Sequence, residues 1–274
     1  MTTALRLAGI HVYPLKGARG ISLERAEALV GGLRHDRRFL LLDAKGGFIT
    51  QRSHPRLALV TTALSAERSS LALGVPGGTP TEVPLCPATA GAARRVVRIW
   101  DDDVEAVDVL GPVVEQLSDY LGERCSLVFM PEDVVRPVEA PYGAPGDRVG
   151  FADAYPYLLA TSASLAELNA RLAEPVPMNR FRPNLVIEGG AAYDEERHAR
   201  VRIGTLEFRM PKRCSRCQVT TVDQATAAVG KEPLRTLASY RSEDNKVYFA
   251  QNLVPDAVGT LGVGDAVEYL DPLS

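Results

Sequence analysis

Residues 211–223 read PKRCSRCQVTTVD, and the interpretation of the whole chain starts from this stretch. Its two cysteines, Cys214 and Cys217, form a CxxC motif flanked by arginines. Residues 218–222 alternate polar and β-branched side chains, which predicts a strand with Cys217 at its mouth. Nearby positive charge favours the thiolate, the form of cysteine that attacks electrophiles or binds metal. A lone CxxC also fits a redox pair or half of a zinc site, so the neighbouring motifs have to decide.

Composition limits the class of protein. The chain has 274 residues, a net charge of −3 and 46% apolar residues, enough for one large domain or two small ones. Basic residues form no long patch of the kind that binds nucleic acid, and no apolar stretch is long enough for a membrane helix. The N-terminus lacks a secretory pattern, so we expect a cytoplasmic protein. Four cysteines are too few for a disulfide framework, or for an iron–sulfur cluster that leaves a thiol free.

Local patterns predict mainly short strands, with a few helices. One helix is predicted for residues 112–121, with Gly122 at its C-terminal end. Another is predicted after Ser164, where Ser164 and Glu167 form a capping box. Residues 74–91 contain repeated proline and glycine and are predicted to be loop-rich.

The order of the predicted elements indicates the fold class. No strand–helix–strand alternation is visible, so the class is mainly β with a few helices (α+β), with sheets closed into barrels. Proline and glycine accumulate near the middle of the chain, and we place a domain boundary near residue 125. The prediction is one β-barrel domain over residues 1–125 and a second over residues 126–274. Trp100 is expected in the core and residues 101–103 in a solvated turn.

Basic residues recur where the chain turns. Lys16 precedes a glycine, Arg37 lies in a basic run before a strand, and Arg182 precedes a proline. Arginine binds phosphate and carboxylate through two parallel hydrogen bonds, whereas lysine binds them as a point charge. If these side chains converge on Cys217, they suit a thiolate-bound metal together with an anionic cofactor. The alternative is that they are solvated charges at strand ends.

Nine motifs make the chain resemble the MOSC superfamily, in particular members such as the mitochondrial amidoxime reducing component. Those members pair an N-terminal MOSC β-barrel domain with a MOSC domain, and the two predicted domains would correspond to these. The motifs follow the family's order and cover nearly the whole chain. They are YPLKGARG (13–20), HDRRFLLLD (35–43), GFITQRSHPRL (47–57), FADAYPYLLATSASLAELNARL (151–172), NRFRPNLVI (179–187), CSRCQVTTVD (214–223), KEPLRTL (231–237), FAQNLV (249–254) and VGDAV (263–267).

The resemblance implies a molybdenum cofactor, in which a phosphate-bearing pterin binds the metal through a dithiolene. The second cysteine of the motif is the family's protein ligand to molybdenum, which is Cys217 here, and a soft thiolate suits a sulfur-ligated metal. Asp153 matches an acid close to the metal that orients water or passes a proton. Cys214 is interpreted as a small buried residue. The remaining positions that match cofactor contacts are Lys16, Gly17 (through its backbone), Arg37, Arg182, Ser215, Arg216 and Asn252.

The activity that the resemblance implies is reductive removal of oxygen from N-hydroxylated substrates, such as amidoximes, hydroxylamines and N-hydroxylated base analogues. Some bacterial relatives carry a ferredoxin-like domain that this sequence lacks, so an external flavin or iron–sulfur reductase is the expected electron donor. We expect a monomer without membrane or nucleic-acid partners. Pyridoxal phosphate binding is a further expectation at the level of the family. Two other functions stay open: a carrier of the cofactor or of sulfur on Cys217, and a thiol–disulfide oxidoreductase that uses Cys214 and Cys217.

Overall fold

The structure, a computed structural model, describes residues 4–273 and is mostly β, which confirms the predicted class. The α-helices in that range are α1 (Pro112–Leu121), α2 (Ser162–Asn169) and α3 (Leu234–Ala238). The strands are β1 (Arg6–Val12), β2 (Ile21–Leu23), β3 (Arg25–Leu29), β4 (Gly32–Leu33), β5 (Phe39–Leu42), β6 (Thr61–Leu64), β7 (Ser70–Gly74), β8 (Thr81–Pro84), β9 (Arg94–Ile99), β10 (Asp102–Val109), β11 (Ser126–Phe129), β12 (Tyr157–Thr161), β13 (Leu185–Glu188), β14 (His198–Ile203), β15 (Leu206–Arg216), β16 (Ser242–Glu243), β17 (Lys246–Pro255), β18 (Gly259–Gly262) and β19 (Val267–Pro272).

The largest sheet takes strands from both ends of the chain. Its order is β19-β14-β15-β17-β12-β13-β1-β2, with β16 added beside β17. Apolar residues alternate along β1, so Leu7, Ile10 and Val12 face the core while their neighbours do not. An antiparallel bridge between Arg6 and Ala266 joins β1 back to the segment before β19. The strand path therefore closes on itself, which leaves fewer unpaired edges than an open sheet has.

Three smaller sheets build the rest of the structure. Their orders are β5-β11-β10-β9, β6-β7-β8 and β18-β3-β4. Phe39, Leu41 and Leu127 alternate into a core that α1 covers with Val113 and Leu117. Burying each of these side chains contributes roughly 1.5 to 3 kcal/mol. The core of this half is therefore separate from that of the large sheet, although β1 and β2 belong to the large sheet and β18 pairs with β3. The division of the chain at residue 125 stays a prediction.

Helix α1 has the predicted bounds, whereas α2 begins differently. Gly122 adopts a left-handed φ of 73° and donates its backbone N–H to Ser118, which ends α1 as predicted. The N-cap of α2 is Thr161 rather than Ser164, because the Thr161 hydroxyl accepts the backbone N–H of Ser164 at 3.1 Å. Ser164 lies inside the helix, and its hydroxyl bonds Glu195 instead.

Two further expectations are wrong. A strand–helix–strand unit does exist: β12 and β13 are parallel neighbours connected through α2. It was missed because α2 follows β12 without a turn between them. The stretch 74–91 is loop-rich as predicted, except for β8, which pairs with β7. Residues Gln218–Thr221 form a 3₁₀ helix instead of a strand. The hydroxyls of Thr220 and Thr221 bond the carbonyls three residues earlier, a local pattern that competes with strand pairing.

Within residues 4–273, no helix combines the length and the apolar character that crossing a membrane requires.

Candidate active site

A cavity of about 150 Å³ contains Cys217 and is lined by residues from both halves of the chain. The first half contributes residues that follow β1 and β5, and the second half contributes the segments before β12 and β13 and the end of β15. The structure therefore brings together side chains that are up to 236 positions apart, from 16 to 252. The predicted site residues that line the cavity are Lys16, Gly17, Arg37, Asp153, Arg182, Arg216, Cys217 and Asn252.

Cys217 lies where β15 ends and the 3₁₀ helix begins. Its backbone is extended, and its carbonyl accepts the backbone N–H of Thr220 at 3.1 Å and the Thr220 hydroxyl at 3.0 Å. These bonds fix the turn that directs the thiol into the cavity. The sulfur accepts a hydrogen bond from Arg52 Nη2 at 3.3 Å. Arginine is always charged, so this contact places a cationic donor directly beside the sulfur.

Arg37 and Arg182 form the floor of the cavity, and the buried ring of Tyr13 is stacked between them. The guanidinium carbon of Arg37 lies 4.4 Å from the Tyr13 ring centroid, and that of Arg182 lies 4.2 Å from it. Arg37 donates to Asp36 at 2.6 Å and to the Asn184 side chain at 2.9 Å. Both arginines have left-handed backbones, with φ of 46° for Arg37 and 54° for Arg182. Non-glycine residues seldom adopt this conformation, and it is concentrated at functional sites.

Positive charge dominates the lining. Burial lowers the pKa of Arg182 to about 10, although Tyr13 opposes that shift. Placing several cations close together in a water-poor cavity is unfavourable unless anions balance them. Among the described residues of the lining there is one carboxylate, that of Asp153. The cationic residues of the lining are Lys16, Arg37, Arg52, Arg182 and Arg216.

Lys16 and Asp153 form an ion pair across the two halves of the chain. Lys16 Nζ donates to Asp153 Oδ1 at 2.6 Å and to the carbonyl of Phe151 at 2.7 Å. Burial would raise the pKa of Asp153, but the charges of Lys16 and Arg52 outweigh it and hold that pKa well below its usual range. Burial lowers the pKa of Lys16, and Asp153 offsets part of that shift. Asp153 is therefore ionised at neutral pH, and it accepts hydrogen bonds better than it supplies protons.

Trp100 lies at the mouth of the cavity rather than in the core, so that prediction is wrong. It occupies the turn between β9 and β10 and is 43% exposed. Its indole Nε1–H points to Asp153 Oδ1 at 3.4 Å, and the Arg52 guanidinium carbon lies 4.7 Å from its ring centroid. Asp102, expected in a solvated turn, accepts a hydrogen bond from the buried side chain of Arg136 at 2.7 Å. The tip of the hairpin between β9 and β10 therefore lies against residues of the cavity lining.

The other predicted site residues differ in whether they line the cavity and in what they contact there. Gly17 has φ of 87°, and a Cβ there would lie 2.5 Å from a methyl carbon of Leu57, so only glycine fits. Asn252 lines the cavity and donates to two carbonyls of the bulged strand β15 at 3.3 and 3.4 Å. Ser215 is exposed on β15 and is not part of the lining. Cys214 is partly exposed in the cavity, which corrects its interpretation as a buried residue, and Arg216 Nη1 donates to its sulfur at 2.9 Å.

Four residues of the site were missed from the sequence. Arg52, Tyr13 and Asn184 all lie inside recognised motifs, but a motif does not show which of its side chains face a cavity. Trp100 lies outside every motif, and the signal that could have found it is an aromatic residue at a hairpin tip. Such a residue cannot be buried by the hairpin itself, so exposure was the better expectation.

The lining fits an anionic, sulfur-ligated group. Arg216 Nε and Tyr155 Oη are buried polar atoms with no partner within residues 4–273. Unpartnered buried polar atoms are uncommon, and a bound group is one explanation for them; within the same residues, five others lie outside the lining. Together with an excess of cations and the soft thiol of Cys217, these atoms suit a phosphate-bearing pterin whose metal already has sulfur ligands. Residues 4–273 contain no cluster of three or more His, Cys, Asp or Glu side chains arranged for a metal ion.

Comparison with known proteins assigns the family. The model of the MOSC N-terminal beta barrel domain matches residues 4–124, and that of the MOSC domain matches residues 146–268. The chain therefore belongs to the MOSC superfamily, as the nine motifs indicated.

Individual relatives are similar over almost the whole chain. Mitochondrial amidoxime-reducing component 1 of Homo sapiens is 32% identical, with 96% of this chain and 82% of the relative covered. The protein of the same name from Danio rerio is 34% identical, with 93% and 82% covered. Molybdenum cofactor sulfurase of Oryza sativa subsp. japonica is 30% identical over 89% of this chain and 32% of its own length. These relatives support a function related to the molybdenum cofactor.

Proposed function

We propose that this protein is a molybdenum cofactor-dependent oxidoreductase that reduces N-hydroxylated compounds such as amidoximes, hydroxylamines and N-hydroxylated base analogues. The observation that carries the proposal is the thiol of Cys217 in a cavity where five cations face one carboxylate. Relatives named amidoxime-reducing components, similar over 96% of this chain, support the substrate class. Neither a thiol nor a cluster of cations is specific by itself, but together they fit a metal-binding thiolate beside an anionic cofactor.

The chain's own residues would hold the cofactor in two ways. Cys217 would bind molybdenum through its sulfur. Arg182 and Arg37 on the floor, with Arg216, would neutralise the phosphate and the pterin by charge-assisted hydrogen bonds. Gly17 would let the backbone approach the cofactor closely, because a side chain there has no space. When bound, the cofactor supplies the two-electron chemistry that removes oxygen from the substrate.

Proton supply falls to Lys16 rather than to Asp153. An ionised carboxylate cannot donate a proton, whereas the buried ammonium of Lys16 has a lowered pKa. The 2.6 Å contact between them lets Asp153 orient Lys16 Nζ toward the cavity. In this proposal Asp153 orients donors and accepts an N–H of the substrate. Lys16 supplies protons that the reaction consumes.

The reaction consumes two electrons, and the sequence itself limits where they can come from. Its four cysteines cannot hold an iron–sulfur cluster and still leave Cys217 free. We therefore propose a separate flavin or iron–sulfur reductase as the electron-donor partner. A monomeric state, a cytoplasmic location and pyridoxal phosphate binding stay predictions.

A second candidate function is delivery of the cofactor, or of sulfur carried on Cys217. The similarity to a molybdenum cofactor sulfurase over 89% of the chain supports this second candidate function. Such a protein would bind the cofactor and show no turnover with any reductant. The relatives named amidoxime-reducing components, of which one matches 96% of this chain and 82% of its own length, favour the enzyme over the carrier.

Elemental analysis and turnover test the proposal together. Protein expressed with molybdate is assayed for molybdenum and for reduction of benzamidoxime with an artificial electron donor. Cys217→Ala is expected to abolish activity, and Cys214→Ala, which alters the other thiol of the same cavity, is the matched control and should retain it. Full activity with retained molybdenum in Cys217→Ala would refute the assignment. Molybdenum binding without turnover in the wild type supports the carrier, and equal loss in both variants without molybdenum supports thiol–disulfide exchange.

A further inference from the structure

The rim of the cavity carries an aromatic side chain that the proposed function does not yet use. Trp100 is the one tryptophan of the sequence, and it occupies a hairpin tip with a left-handed φ of 56°. The turn between β9 and β10 has two residues, and a positive φ at the first of them is what such turns require. The turn therefore accounts for the backbone conformation, and it leaves the indole against the residues that line the cavity.

The hairpin tip is tied to the segment that carries Asp153. Arg136 is buried, and it donates to the Asp102 carboxylate at 2.7 Å and to the backbone carbonyl of Asp153 at 2.8 Å. Phe48 meets the edge of the indole at a centroid distance of 5.2 Å. These contacts hold the indole and the Asp153 carboxylate at a fixed separation, which is what a recognition site requires.

The Arg52 guanidinium shows what kind of group this place accepts. It lies over the indole at 4.7 Å, with Nη2 at 3.3 Å from Cys217 Sγ and 3.9 Å from Asp153 Oδ2. A guanidinium is a flat N–C–N group that carries N–H donors. Amidoximes and N-hydroxyguanidines contain the same flat N–C–N unit with N–H donors. The indole face of Trp100, the ionised Asp153 carboxylate and Cys217 Sγ thus surround the N–C–N plane of the Arg52 guanidinium.

We propose that Trp100 and Asp153 form a recognition subsite for flat N-hydroxylated substrates, the amidoximes and N-hydroxyguanidines, in preference to alkylhydroxylamines. The substrate's N–C–N plane stacks on the exposed part of the indole, beside the Arg52 guanidinium, and the exposed Asp153 carboxylate accepts one of its N–H groups. Alkylhydroxylamines lack the flat unit and gain nothing from the indole. This inference rests on the proposed reductase function, which it deepens by naming a specificity-determining residue.

Steady-state kinetics on the cofactor-loaded protein test the subsite with two substrates. Trp100→Leu is expected to lower kcat/KM for benzamidoxime about tenfold and to change that for N-methylhydroxylamine by less than about twofold, because only the flat substrate loses its stacking. Trp100→Phe should restore most of the loss. Val96→Ala, on the same hairpin with an exposed side chain, is the matched control and should leave both values unchanged. An equal fall for both substrates in Trp100→Leu, or no fall for either, overturns the proposal.

Fluorescence tests binding without turnover. Because Trp100 is the one tryptophan, selective excitation of tryptophan reports on this position alone. Titrating benzamidoxime into the full-length, cofactor-loaded protein should change the emission with a saturable dependence, while free N-acetyltryptophanamide shows only a linear change. A linear change in both overturns the subsite. If the wild type shows the saturable change but reduces neither substrate, the reductase function fails and the binding subsite stands.

Discussion

The cavity around Cys217 and the polar cluster around Glu195 hold carboxylates in opposite states. At the cavity, Lys16 and Arg52 keep the pKa of Asp153 well below its usual range. In the cluster, burial raises the pKa of Glu195 to about 7, although the hydroxyls of Ser164 and Thr161 oppose that shift. Glu195 is completely buried, whereas 59% of the Asp153 side chain is exposed.

The difference has two causes, which are the exposure of each carboxylate and the charge of its neighbours. Glu195 has hydroxyl neighbours at 2.9 and 3.4 Å and, within the described part of the chain, no cation paired with it, so its neutral form suits the interior. The cavity instead gathers cations from both halves of the chain, and it retains ionised groups that an ordinary interior would neutralise. This concentration of charge is what marks the cavity as the functional site.

The largest effect on the free energy of unfolding is expected from an isosteric substitution beside the cavity. Asp36→Asn removes the charge that pairs with Arg37 at 2.6 Å and weakens the acceptor for the backbone N–H of Tyr13 at 2.8 Å. Because Asp36 is 4% exposed, leaving Arg37 unpaired should lower the free energy of unfolding by about 3 to 5 kcal/mol. Urea denaturation monitored by circular dichroism measures it.

Asp103→Asn is the control for that substitution. Asp103 pairs with Arg98 at 2.8 Å, but both side chains are more than half exposed. The expected loss of unfolding free energy is under about 1 kcal/mol, because exposed pairs contribute little. Equal losses for the two variants would show that the cavity stores no special electrostatic energy, and the contrast between the two regions would fail.

Glu195 provides the second test, through the pH dependence of stability. The folded protein holds a proton on Glu195 up to about pH 7, whereas the unfolded chain releases it near the ordinary pKa of 4.5. The stabilisation is therefore complete below pH 4.5 and is lost as pH rises through 7, by on the order of 3 kcal/mol. Glu195→Gln cannot titrate, so it should lack this part of the dependence.

The measurement is the difference in unfolding free energy between wild type and Glu195→Gln across that pH range. Glu196 and Asp194 lie nearby and are present in both proteins, so the difference removes most of their contribution. A wild type that becomes more stable, relative to the variant, as pH rises would contradict the neutral state of Glu195. It would also remove the contrast with Asp153.

The smallest of these effects is expected from one arginine of the cavity floor. Arg182→Ala should weaken cofactor binding at least about tenfold, since one charge-assisted hydrogen bond to an anion contributes roughly 1.5 to 3 kcal/mol. Molybdenum content after gel filtration at matched expression measures it. Arg171→Ala, which removes an exposed helix ion pair, is the control and should leave the content unchanged. Unchanged molybdenum in Arg182→Ala would count against a role for the floor in holding the cofactor.

Local chemistry explains which predictions succeed. The helix over residues 112–121 was predictable because Pro112 and Gly122 mark both of its ends, and each acts within a few residues. Residues 218–222 misled because β-branched threonines suit a strand, yet their hydroxyls bond backwards into a 3₁₀ turn. Trp100 misled because an aromatic residue is usually buried, while a hairpin tip has nothing above it.

The sequence by itself determined the mainly β class, the family, and the residue types that a thiolate-bound, anionic cofactor needs. Only the tertiary structure decided that Lys16, Arg37 and Arg182 surround Cys217, that Arg52 reaches its sulfur, and that Ser215 faces away. The physical reason is the separation along the chain over which each effect acts. Periodicity and turn chemistry act between neighbours along the chain, whereas the charge state and direction of a side chain depend on partners that folding brings from more than a hundred residues away.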